Sequence, residues 1–248
     1  MKYEIRKVDK EKGIICITTT DERYYQHGET FVPSSTWIAD HYPKGIAFYK
    51  WLADKGWNEA ESLKSAAGNK GSRVHHAIEM LLKGEELKFD DVLPDEKEEQ
   101  KELTVEEWEC IMSFKAWHDE AKPKVLLVER SAINFEYCYG GTIDLVCEID
   151  GQVYVVDFKT SANIWKSHEL QISSYARLLP FIDETTALDA RLVKTAILQL
   201  GYGRNKKGFK FTEIDDKFEL FLHAKAIWAE ENADKQPAQR LYPLTIKL

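Results

Sequence analysis

Two carboxylates and a lysine, Asp144, Asp157 and Lys159, lie on either side of the dipeptide Asp150-Gly151. Asp-Gly between alternating apolar runs is the strongest short-range signal for a two-residue hairpin. In that register Ile149 faces Gln152, and counting back along both arms sets Asp144 opposite Asp157, with β-carbons roughly 4.5–5.5 Å apart. Like charges so placed destabilise a sheet. The period of two adds Lys159 to their face and sends Ile143, Leu145, Cys147, Tyr154, Val156 and Phe158 to the other, apolar face. Two chemistries fit this arrangement. Either Lys159 neutralises two exposed acids as a surface ion pair worth ~0 to 1 kcal/mol, or paired hard oxygen ligands hold Mg²⁺ or Mn²⁺ while the lysine positions or deprotonates an attacking water. Gly140-Gly141 precede the first acid and favour the second, because glycines let a bulky ligand approach a strand closely.

Such residues need a sheet and helices to hold them. Residues 1–33 read as an N-terminal β-hairpin, YEIRKV and GIICITT around the turn-like DKEKG. Residues 34–122 read as a helical region of several short helices, one ending at Gly56 and another led in by Gly71. Thr104 with Glu107 forms a capping box for a helix to about residue 120. From residue 123 the texture is β, with strands VLLVERSAINFEY, TIDLVCEI and QVYVVDFK. A helix over 169–179, strands KTAILQLGYG and GFKFTEI, and a closing helix over 215–232 follow. This order predicts an α/β or α+β fold with a central mixed sheet flanked by helices, in one domain over 1–248.

Gly141-Thr142-Ile143-Asp144, Asp157-Phe158-Lys159-Thr160, Gln171-x-x-x-Tyr175 and, upstream, Gly71-x-x-x-His75 stand in the order of a known motif set. Over residues 71–200 the chain resembles the RecB-like branch of the PD-(D/E)xK nuclease superfamily. The resemblance implies a restriction-endonuclease-like core and a Mg²⁺- or Mn²⁺-dependent deoxyribonuclease. Asp144 and Asp157 would be metal carboxylates, with the Phe158 carbonyl and His75 completing the shell, and Lys159 the catalytic lysine. Imidazole suits Mn²⁺ as well as Mg²⁺. His76 is expected to face elsewhere. Gln171 and Tyr175, one helical turn apart, would lie near the substrate strand, with Trp165 a stacking candidate. Some members of the superfamily recruit an upstream glutamate, for which Glu129 is the first candidate and Glu136 the second. Helices in the region 104–120 would roof the site. The absence of cysteine beyond Cys147 argues against the iron–sulfur cluster of other members, and no phosphate loop is present for a nucleotide, so any helicase or recombination partner is a separate chain.

The composition sets limits on partners. The net charge of −8 opposes a nucleic-acid partner at first sight, but residues 85–109 hold twelve acids against three lysines, which leaves the remainder at +1. That acidic connector reads as solvated surface. A local basic groove remains open to Lys122, Lys124, Lys159, Lys166 and the loop GRNKKGFK. The four cysteines lack paired spacing and read as small buried hydrophobes. With no long apolar run, no membrane association is expected, and the location expected is the cytoplasm of a bacterial or phage-infected cell. The resemblance makes the expected function that of an exonuclease on single-stranded DNA or DNA ends in repair or recombination. A structure- or site-specific endonuclease of the same fold, or a non-catalytic nucleic-acid-binding subunit, are the alternatives.

Overall fold

A computed structural model describes residues 4–9, 13–18, 22–95, 99–182 and 192–232. The expected N-terminal hairpin is present as β1 (Glu4–Asp9) and β2 (Ile14–Thr18), but β3 (Arg23–His27) and β4 (Thr30–Pro33) continue it into a four-stranded antiparallel sheet. The added arms are short and turn at Gly28, whose φ of 58° suits a residue without a β-carbon. Ser34 then caps α1 (Ser35–Asp40), its hydroxyl accepting the Trp37 N–H at 3.1 Å.

α2 (Ile46–Lys55) buries none of its side chains and leaves Ile46, Phe48, Tyr49 and Trp51 exposed. Instead of further short helices, α3 (Trp57–Leu82) runs unbroken through Gly68 and Gly71. Each glycine costs about 1 kcal/mol relative to alanine in a helix interior. The C-terminal part of α3 offsets this by burying Arg73, Val74, Ala77 and Ile78, whereas over residues 57–67 only Ala60 is buried.

The acidic connector is partly built into the core, contrary to a wholly solvated reading. It contains a small hairpin, β5 (Val92–Pro94) and β6 (Gln100–Glu102), and leads to α4 (Val105–Ala121). Glu107 takes the Thr104 N–H at 2.8 Å as half of the expected capping box and also accepts the Arg73 Nε–H at 2.9 Å. Asp95 lies 3.8 Å from the same guanidinium, and all three side chains are buried. Burial works against its charge, but the Arg73 guanidinium and the Thr104 amide hold the Glu107 carboxyl below its ordinary value. The pair ties α3 to α4.

The central sheet comprises β7 (Lys124–Asn134), β8 (Tyr139–Ile149), β9 (Gln152–Lys159), β10 (Lys194–Leu200) and β11 (Phe209–Ile214). Its order is β11-β10-β9-β8-β7, with β9 and β10 parallel and the other neighbours antiparallel, so the expected mixed sheet is present. α5 (Lys166–Ala176) and α6 (Phe218–Asn232) pack on one face with Val146 and Val155. α3 and α4 cover the other with Leu145, Cys147, Val156 and Phe158. Both faces are therefore apolar over most of their area, and the expected polar face shrinks to the strand ends. Cys16, Cys110 and Cys147 are buried and free, whereas Cys138 is exposed. Among the described residues no helix is long and apolar enough to cross a membrane.

The Arg73–Glu107 pair generates a stability prediction. Glu107→Ala leaves a buried guanidinium short of its partner and should cost roughly 3–5 kcal/mol in urea unfolding, while Lys115→Ala, at an exposed helix pair, should stay within about 0.5 kcal/mol. Because the native Glu107 value is lowered, its contribution is complete above the ordinary value of 4.5 and is lost as pH falls through the native value.

Candidate metal centre

The register at the hairpin is the expected one from Ile149↔Gln152 to Leu145↔Val156, and there the pairing of β8 with β9 ends. Asp144 and Asp157 therefore do not form an opposed ladder pair. A continued ladder would set Phe158 against Ile143. Instead the Asp144 carboxylate accepts the Phe158 N–H at 2.7 Å, and His75 Nε2 donates to the Phe158 carbonyl at 3.0 Å. Ile143 turns to pack with Val146 and Val155 and not with Leu145, a three-residue step that marks a break in alternation at Asp144. On the neighbouring strand Glu129 has a φ of 47°, the left-handed region that costs a non-glycine residue about 1–2 kcal/mol.

These departures bring three ligand types together. His75 Nδ1 lies 3.5 Å from Asp144 Oδ1 and 3.9 Å from Glu129 Oε1, and one donor atom from each residue falls within 4.8 Å of the others. With Nε2–H engaged by the Phe158 carbonyl, Nδ1 is the nitrogen that faces the carboxylates, the arrangement that fixes a ligating histidine. His75, Glu129 and Asp144 can therefore hold a metal ion. The Phe158 carbonyl, expected as a ligand, here orients His75.

Electrostatics agree with a cation at this point. Burial opposes charge on His75, but Asp144 and Glu129 together raise it to about 9. Burial likewise opposes the Asp144 charge, yet His75, Lys159 and the Phe158 amide hold this carboxyl below its ordinary value. Asp157 stands outside the triad, with Oδ2 2.6 Å from Lys159 Nζ. Burial pushes it up to about 6, Lys159 opposing that rise and Asp144 adding to it. Lys159 also donates to Gln171 Oε1 at 3.1 Å, and Gln171 Nε2 donates to the Tyr175 hydroxyl at 2.7 Å and to Thr36 Oγ1 at 3.0 Å. Gln171 and Tyr175 are buried, so they brace Lys159 from α5.

All of these residues line one cavity of about 750 Å³. Trp165, 57% exposed, stands at its rim, and His76 also lines it beside Glu79, where it was expected to face elsewhere. Arg23, Lys70, Lys159 and His75 meet Asp40, Glu79, Glu129, Asp144 and Asp157 there, so acids outnumber cations by one. Among the described residues none from 85–122 lines the cavity, and the expected roof is absent there. Lys124 and Lys166 pair with Glu148 and Glu169, and neither they nor Lys122 and Glu136 line it. The N-terminal sheet supplies a wall that sequence reasoning did not assign: Cys16, Thr18, Arg23 and Tyr25, the last sharing a hydrogen bond of 2.9 Å with Thr142 Oγ1.

The glycines do not make room for a ligand. A β-carbon on Gly140 would lie 2.6 Å from Tyr25, and one on Gly141 2.7 Å from Tyr175, so the pair admits the protein's own rings. At Gly71 the nearest contact would be Thr160 Oγ1 at 3.9 Å, an ordinary distance. No model of a known protein family matches the chain, and no curated protein matches it in sequence.

Glycine substitutions separate these roles. Gly140→Ala should destabilise by about 1–3 kcal/mol through overpacking. Gly71→Ala, helical and unobstructed, should stabilise by roughly 0.5–1 kcal/mol. Thermal unfolding checks both, and a stabilising Gly140→Ala would overturn the packing account.

Proposed function

We propose that this chain is a metal-dependent DNA nuclease of the PD-(D/E)xK type, hydrolysing phosphodiester bonds as an exonuclease on single-stranded DNA or strand ends. One observation carries the reading: His75 from α3, Glu129 from β7 and Asp144 from β8 converge within 4.8 Å, in one cavity with the paired Asp157 and Lys159. One imidazole and hard carboxylates suit Mg²⁺ or Mn²⁺. Such an ion, when bound, polarises the scissile phosphate and lowers the pKa of a coordinated water.

The chain's own residues do the rest. Asp144 and Glu129 supply negative charge at the triad, and His75 is held in register by Phe158. Lys159, fixed between Asp157 and Gln171, presents an ammonium that orients the attacking oxygen and offsets charge developing on the phosphate. Asp157, with its raised titration, sits where it can share a proton with Lys159 or a water. The walls around these residues come from the N-terminal sheet, α3 and α5.

Lys159→Ala should lower turnover by at least a hundredfold while Mn²⁺ affinity in calorimetry stays near wild type, because ammonium is not a ligand. Asp144→Asn should weaken Mn²⁺ binding at least tenfold and abolish turnover. End-labelled linear single-stranded DNA should be degraded while a covalently closed single-stranded circle survives. Equal rates on both would replace the exonuclease by an endonuclease, and binding without cleavage would leave a non-catalytic DNA-binding subunit.

A further inference from the structure

The acidic cavity poses a physical problem for a polyanionic substrate. Five carboxylates face Arg23, Lys70, Lys159 and His75 at its wall, so even with a divalent ion present the cavity contributes little long-range attraction for a phosphate chain. Attraction has to come from elsewhere on the surface.

The loop between β10 and β11 provides it. Residues 201–210, GYGRNKKGFK, which are this loop and the first two residues of β11, contain Arg204, Lys206, Lys207 and Lys210 and no acid, in a chain whose net charge is −8. All four side chains are exposed. Arg204 and Lys210 stand 6.0 and 5.9 Å from the Tyr202 ring centroid, and Lys207 lies 5.7 Å from that of Phe209, so rings hold three of the cations in place. Only Lys207 has a carboxylate partner among the described residues, Glu120 at 2.7 Å. The loop also abuts the cavity rim: Arg204 donates to Asn163 Oδ1 at 3.1 Å, and Gln199, at the end of β10, donates to the Ser161 carbonyl at 3.1 Å. Ser161 and Trp165, on the same connection, line the cavity.

We propose that the β10–β11 loop is a second nucleic-acid site, a phosphate-backbone clamp that holds single-stranded DNA outside the cavity and feeds it past Trp165 toward Lys159. This rests on the nuclease reading for its direction of travel, but the contact itself needs only a polyphosphate chain. Arg204, Lys206 and Lys210 meet backbone phosphates without reading bases, and Trp165 offers a ring for sequence-tolerant stacking.

The test compares the double variant Lys206→Glu/Lys210→Glu with a charge-matched control, Lys115→Glu/Lys124→Glu, on surfaces that do not line the cavity. Fluorescence anisotropy of a labelled 20-residue oligothymidylate, in EDTA so that no turnover is required, should show at least tenfold weaker binding for the loop variant at about 0.1 M salt. Its slope of log affinity against log salt should flatten by about 1 to 2, as expected for two lost phosphate contacts. Binding by the control should stay within about threefold of wild type. With Mn²⁺, kcat/KM on the oligomer should fall in the loop variant while hydrolysis of thymidine 5′-(p-nitrophenyl phosphate), too short to reach the loop, is unchanged. Equal binding by loop variant and control overturns the clamp, as does an equal loss on the short substrate, which would make the loop a support of the cavity. If wild type hydrolyses neither substrate, the nuclease reading falls, and the anisotropy comparison still decides the clamp.

Discussion

The Phe158 N–H is given to a side chain, the Asp144 carboxylate, and the candidate site depends on that exchange. A regular hairpin would use both backbone groups of Phe158 to extend the ladder past Leu145 and Val156. Here one goes to Asp144 and the other to His75, so two strands that are bound tightly near their turn part company at their far ends. Both backbone groups of Phe158 thus stay paired across the gap. The same two bonds fix the positions of two of the three side chains that could hold a metal ion.

Opening a sheet in this way has a cost that the surroundings offset. Asp144 and Asp157 are buried close to one another beside Glu129, and there desolvation disfavours ionisation of the two aspartates. His75 and Lys159 supply the compensating charge within the protein itself. The left-handed Glu129 stores strain at the same level of the sheet. What keeps His75 in place is two residues away in sequence: Arg73, locked into Glu107 and Asp95, pins this turn of α3 to the acidic connector.

Much of this was legible in the sequence because local rules governed it. Asp150-Gly151 set the hairpin and its register, Thr104 and Glu107 announced α4, and the apolar alternation of β8 and β9 survived intact up to Leu145 and Val156. Periodicity then failed at Asp144, where the pairing ends, since a count of two per step has no means of registering a side chain that replaces a strand. The buried role of Asp95 and Glu107 was hidden in a run of twelve acids, and only the three-dimensional position of Arg73 separates them from their solvated neighbours. Tyr25 lacked any signal in its surroundings. Its hydrogen bond to Thr142 spans 117 residues of chain, and Gly140, which accommodates it, reads equally well as space for a ligand.

α3 has one further consequence, in the distribution of stability along it. Its last third is cemented into the core, whereas its first eleven residues, together with all of α2, bury almost nothing. Local opening of that arm sacrifices few apolar contacts, so its amides exchange with solvent through small fluctuations while those near Val74 and Ile78 require disruption of the core. Gly68 and Gly71 stand at the boundary between the two regimes, where the helix has the least side-chain bulk to transmit bending. The protein thus carries, beside its cavity, an arm of exposed aromatic side chains joined directly to the helix that holds the histidine.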